Sequence, residues 1–261
     1  MRSVIALALG WLLAACATAP TPPAGGLVIT NVMIASPERN AAYGPTSVRI
    51  IDGRIVEIGA SLRAGEGAAV IAGEGRYLSP GLIDSHVHLN DAPGLPFGAE
   101  ETHPDLAAAW TAQAPRSFLY HGFTTLIDLF SSGERVAAWN TREDAPHVHF
   151  CGGAPVLDGY PTNFMPAPQR YQIISTFVIN STQTAPEGIE PARIFRAATI
   201  ENAAFFGLED VGVVAIGKQA DLLLLRGNPF ESVTAFDAID LVIVDGQPIA
   251  REVLSARASA D

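Results

Sequence analysis

The chain has 261 residues, 48% of them hydrophobic and 16% charged, a composition that buries a core and excludes a disordered or fibrous protein. Twenty-seven acids against sixteen bases leave a formal charge of -11; phosphate backbones repel such a chain, so no nucleic-acid partner is expected. The length suits one large α/β domain or two smaller ones, but not a full-sized barrel with a second domain beside it.

Arg2 and a short apolar run from Val4 to Leu13 lead into small residues and Cys16. The run is too short to span a bilayer as a helix, and its flanks are those of an export signal. Leu13-Ala14-Ala15-Cys16 resembles the bacterial lipobox. That resemblance implies that residues 1–15 are a lipoprotein signal peptide and that Cys16 is acylated. The protein would then be a periplasm-facing lipoprotein of the cell envelope, held to the membrane by its lipid anchor. The alternative is an ordinary secretory signal cut nearby, with Cys16 incidental. With Cys16 acylated, Cys151 is the one thiol left, so no intrachain disulfide is expected and Cys151 reads as a small buried residue. Residues 16–26 are rich in Pro and Gly and read as a tether.

From Leu27 the pattern changes to short β-rich runs, Leu27 to Ile34, Ser47 to Ile51 and Ile55 to Ile58. Asp52-Gly53 joins the last two, and an Asp-Gly pair between β-branched runs predicts a tight hairpin. An apolar strand follows in Pro80-Gly81-Leu82-Ile83-Asp84-Ser85-His86-Val87-His88. A helix-like stretch runs from Leu106 to Tyr120, and buried-type strands are expected at Thr124 to Leu129 and His147 to Cys151. This alternation predicts parallel βαβ units. Gly152 to Pro168 reads as loop. Pro191 to Phe206 is helical in period, with Ile194, Phe195, Ala198 and Asn202 on one face and Gly207 at its stop. Strand character returns at Val211 to Ile216, Leu222 to Leu225 and Leu241 to Val244, with a second tight turn at Asp245-Gly246.

His86 and His88 stand two apart at the end of a strand, so their imidazoles lie on one face and can reach one cation together. Strict alternation puts Asp84 on that face one layer deeper, where it reads as a hydrogen-bonded interior support or as a further ligand. Trp110, Trp139, Phe205 and Phe206 read as core.

The segment Pro80 to His88 resembles the first barrel strand of the amidohydrolase superfamily, whose histidines bind a catalytic metal. The resemblance continues in Gly122-Phe123-Thr124-Thr125-Leu126-Ile127-Asp128 and resumes in Ala197 to Ala203 and in Gly217-Lys218-Gln219-Ala220-Asp221-Leu222. The nearest flavour is that of imidazolonepropionase-like and prolidase-like members. The resemblance implies an α/β fold, a TIM-type (β/α) barrel with a small β-sandwich domain built from both chain ends. It implies His86 and His88 as metal ligands, a divalent metal with zinc as first choice, and hydrolysis of a carbon–nitrogen bond in a small amide-like substrate by metal-activated water. Lys218 and Asp221 read as turn and sheet residues of the small domain, and His147 with His149 as a partly exposed strand face.

Residues 27–79 with 207–251 form the composite β-domain on this reading, 252–261 a tail, and only 80–206 remain for the barrel. At roughly 31 residues per unit this supplies about four of eight units. The family's bridging lysine is also missing, since Lys218 is the only lysine and lies in the returning sheet. Tyr171 to Gln183, ahead of the last helix, contains no Asp, Glu or His where the family has its terminal aspartate. The catalytic residues beyond the histidine pair are therefore unknown. The expectation is an incomplete barrel with a partial metal site, a hydrolase impaired or inactive, and oligomerisation through exposed barrel edges. The alternative is a non-catalytic envelope lipoprotein or a degenerate gene remnant.

Overall fold

Strand β1 (Leu27–Ile34) carries Leu27, Val28, Ile29, Val32 and Ile34 out of solvent, as a strand covered on both faces must. The computed structural model describes residues 25–89, 102–129, 131, 133–150 and 190–256, and β1 lies inside its larger sheet. It pairs antiparallel with β2 (Tyr43–Ile51) and parallel with β4 (Ala69–Ala72) and β5 (Tyr77–Pro80). The hairpin from β2 to β3 (Arg54–Gly59) turns at Asp52 and Gly53, with φ of 48° and 73°, the double positive φ that the Asp-Gly pair predicts.

The far end of the chain completes this sheet. β9 (Leu222–Leu225) lies antiparallel to β5, and β10 (Ile239–Val244) and β11 (Gln247–Ala250) follow, turning at Asp245 and Gly246 with φ of 49° and 75°. The order is β11-β10-β9-β5-β1-β2-β3, with β4 on β1.

Between β5 and β9 runs a three-stranded parallel sheet, β6 (Leu82–Val87), β7 (Phe123–Asp128) and β8 (His147–Phe150). Helices α1 (Pro104–Tyr120) and α2 (Gly133–Asn140) connect them, the βαβ plan expected from the alternation. Gly122 ends α1 at φ 87°, and a Cβ there would lie 2.9 Å from Ile239 Cδ1, so both the turn and the packing require glycine. Val87, Leu126 and Val148 pack with Trp139, while Ile83 and Ile127 pack with Ala203. Ala203 belongs to the last helical run, α3 (Pro191–Arg196), a π-turn (Ala197–Glu201) and α4 (Asn202–Phe205). Asn202 Nδ2 donates to the Ile83 carbonyl at 3.1 Å and fixes this run against the parallel sheet.

Two expectations fail. Val211 to Ile216 forms no strand: Gly212 and Gly217 take φ of 85° and 87°, and the Val214 N–H donates to Ser36 Oγ at 2.8 Å instead of to a ladder. Phe205 is 82% exposed and is not core. The signal, Cys16, Cys151, the Gly152 to Pro168 loop and the Tyr171 to Gln183 stretch lie outside the described residues.

Asp240 on β10 ties the centre of the large sheet. Its carboxylate accepts from Arg76 Nη1 at 2.9 Å, beside β5, and from Arg226 Nε at 2.7 Å, beside β9. Burial pushes this carboxyl up, but the hydrogen bonds from Arg226 and Arg76 outweigh it and hold the group below its ordinary 3.8. A depressed folded-state value adds stability above the unfolded pKa that is lost as pH falls through the folded one. Asp240→Asn is expected to cost about 1 kcal/mol at neutral pH, with the difference shrinking below the ordinary carboxylate value, as read by urea unfolding at both pH values.

Candidate functional site

The C-terminal end of β6 carries the histidine pair. The His86 and His88 rings stack with centroids 5.3 Å apart and planes 26° from parallel, so the two imidazoles do come together. Between Asp84 and Val87 the β6–β7 register slips, one extra residue on β6 opposing its partner strand. Asp84 nevertheless lines one cavity with both histidines, as its predicted facing requires. Its Oδ1 accepts the His86 backbone N–H at 3.1 Å, the hydrogen-bonded support expected of it. Burial raises the Asp84 carboxyl above its ordinary value, against the N–H and the His86 ring, which lower it.

Asp128, quoted in the second-strand motif but given no role there, anchors the segment that follows. It is fully buried and accepts from the Leu89 N–H at 2.9 Å and from the Ser131 N–H and hydroxyl at 2.6 Å each. The backbone just past His88 is thereby tied to the end of β7. Together with Trp110, Phe118 and Trp139 from the helices, the end of β6 lines a cavity of about 260 Å³. Its walls are aromatic, and it is smaller than the usual range for drug-sized ligands.

A catalytic zinc centre takes three protein ligands and a water. The pair at His86 and His88 supplies two imidazole donors and Asp84 lines the same cavity, but among the described residues no group of three ligand atoms, all within 4.8 Å of one another, forms there. The described residues therefore do not make up a closed three-ligand centre.

Such a group forms at His147, Asp221 and Asp245, with ligand atoms all within 4.8 Å of one another. His147 begins β8, and in a parallel sheet that is the end opposite the His86 and His88 pair. Its Nε2 lies 3.2 Å from Asp245 Oδ2 and 3.6 Å from Asp221 Oδ2. The carboxylates of Asp221 and then Asp245 raise the His147 imidazole to about 10 against the opposing effect of burial. The Asp245 carboxyl is lowered in turn, first by His147. His149 takes no part; burial, then the charge of His147, lowers its pKa. Sequence reading treated His147 as a strand face and Asp221 as a turn residue. Both placements hold, His147 opening β8 and Asp221 preceding β9; what the structure adds is that the Asp245-Gly246 turn folds back over the start of β9 and brings the three side chains together. No local pattern carries that signal.

Residues 77–186 and 169–249 match the amidohydrolase family. The chain belongs to that family. A dihydroorotase of Thermus aquaticus is 30% identical over 232 residues, 84% of this chain and 50% of that protein. A dihydroorotase of Lactiplantibacillus plantarum is 30% identical over 219 residues, 78% of this chain and 49% of that one. The chain thus spans about half the length of these relatives. Among solved structures, a prolidase complexed with N-methylphosphonate-L-proline superposes with a TM-score of 0.67 at 15% identity, covering 86% of this chain and 99% of that one. Molinate hydrolase gives 0.67 at 12% identity, covering 89% and 96%. At such identities the likeness concerns the fold.

Asp128→Ala leaves three buried or partly buried donors without their acceptor. It is expected to cost about 2–3 kcal/mol, with Asp128→Asn costing less because an oxygen acceptor remains; urea denaturation of the three proteins checks this.

Proposed function

We propose that this chain descends from carbon–nitrogen hydrolases that act on small amide-like substrates through metal-activated water, and that it is impaired or inactive in that chemistry as it stands. The observation that carries the reading is the His86 and His88 pair, stacked at 5.3 Å at the C-terminal end of the first parallel strand, with no group of three ligand atoms within 4.8 Å of one another around it among the described residues. The C-terminal ends of parallel strands are where α/β barrels place their chemistry. The pair is the remnant of a metal site, with zinc favoured by imidazole donors.

The family match in two overlapping pieces, 77–186 and 169–249, supports an interrupted barrel: 27–79 with 207–251 as the composite β-domain and 80–206 as a partial barrel. The half-length span of the dihydroorotases agrees with this. Residues 1–15 act as a lipoprotein signal, Cys16 is the lipidation site, residues 16–26 tether the domain, and the protein faces the periplasm on its lipid anchor. The motif Leu13-Ala14-Ala15-Cys16 supports that placement. Open edges of the partial barrel favour self-association.

The reading is tested with the purified lipid-free chain, dihydroorotate and an Xaa-Pro dipeptide as substrates, and added Zn²⁺. No turnover above buffer is expected. Turnover with Zn²⁺ that His86→Ala abolishes overturns the claim of lost competence.

A further inference from the structure

The cluster at the base of β8 lies outside the site described above, at the opposite end of the parallel sheet. It joins elements far apart in sequence: His147 opens β8, Asp221 precedes β9, and Asp245 sits in the turn between β10 and β11. Three features of its geometry suit a cation better than a hydrogen-bonded ion pair.

The first is spacing. Charge-assisted N–H···O bonds close to about 2.7–2.9 Å, yet the His147 Nε2 distances are 3.2 Å to Asp245 and 3.6 Å to Asp221. Zinc–nitrogen and zinc–oxygen bonds of roughly 2.0–2.2 Å at tetrahedral angles put neighbouring donor atoms roughly 3.3–3.6 Å apart. The second is an orphaned atom. The Asp221 side chain is 2% exposed; its Oδ1 accepts the Asp245 N–H at 2.9 Å, while its Oδ2, turned toward His147, has no hydrogen-bond partner. A buried carboxylate oxygen left without a partner is costly. The third is stoichiometry of donors. Asp221 and Asp245 both face one ring nitrogen, and a single N–H serves one acceptor, while the Gln219 amide nitrogen beside them donates to Asp245 Oδ1 at 3.0 Å.

We propose that His147 Nε2, Asp221 Oδ2 and Asp245 Oδ2, completed by a water, form a structural zinc site that clamps β8 of the parallel sheet to the eight-stranded sheet. Two carboxylates and a neutral imidazole balance the charge of one divalent ion, and the proton on Nε2 leaves to solvent as it binds. The sheet junction then gains a cross-link between β8 and the segments flanking β9 and β10.

The experiment uses the full chain stripped of metal and carrying His86→Ala and His88→Ala, so that the pair on β6 contributes nothing. Zn²⁺ is titrated calorimetrically, and the thermal midpoint is followed with and without the ion. One Zn²⁺ per chain and a raised midpoint are expected. Asp245→Asn in the same background is expected to weaken binding by about 100-fold. Asp245 is at φ 49°, a conformation asparagine tolerates, so this variant keeps the turn. Absence of Zn²⁺ uptake by the His86→Ala, His88→Ala chain, or uptake unchanged by Asp245→Asn, overturns the proposal. Neither result bears on turnover at the β6 pair, because that pair is removed in every arm.

Discussion

The antiparallel pairing of β5 with β9 is the contact on which the rest of the fold hangs. Tyr77 to Pro80 meet Leu225 to Leu222 in register, joining segments separated by the whole parallel sheet and its helices. Closing so long a loop costs entropy that only the buried sheet can repay. The repayment is visible in Leu78, Leu222 and Leu224, all buried in one cluster with β1 and β2. One residue past β5, the Gly81 N–H donates to the Asp221 carbonyl at 2.8 Å, and the Leu82 N–H to the Gly122 carbonyl at 2.9 Å. The large sheet therefore sets the starting point and direction of β6, and through β6 the position of the histidine pair.

The same pairing organises both side-chain clusters of interest. At one end of the parallel sheet, His86 and His88 follow a bulge and are backed by Asp84 and Asp128. At the other, His147 meets Asp221 and Asp245 because β9 and the β10–β11 turn are held beside β8. The first cluster lies where an amidohydrolase barrel does its chemistry; the second lies at the junction of the two sheets and has a structural part. Family membership fits a chain that keeps the sheet framework of that family.

Features determined by a few adjacent residues were legible in the sequence. The Asp52-Gly53 and Asp245-Gly246 turns were readable because a double positive φ needs that dipeptide chemistry, and His86 with His88 because two-residue spacing shares a strand face. Patterns that required knowing a neighbour were not. Val211 to Ile216 has the composition of a strand, but its N–H at Val214 goes to Ser36, and two glycines bend the run. Phe205 is apolar yet exposed, since the last helical run turns Ala203 and Phe195 inward. The His147 cluster was invisible because its members come from three elements far apart in the chain, and no local pattern says that they meet.

The central claim is that strands from both ends of the chain form one cooperative sheet that holds the parallel sheet in place. Native-state hydrogen exchange in low denaturant tests it most directly, by comparing amides of β1 and β5 with those of β9 and β10. Opening of all four strands with one free energy and one denaturant dependence is predicted. Exchange of β9 and β10 at a markedly lower free energy, with β1 and β5 still protected, would contradict it.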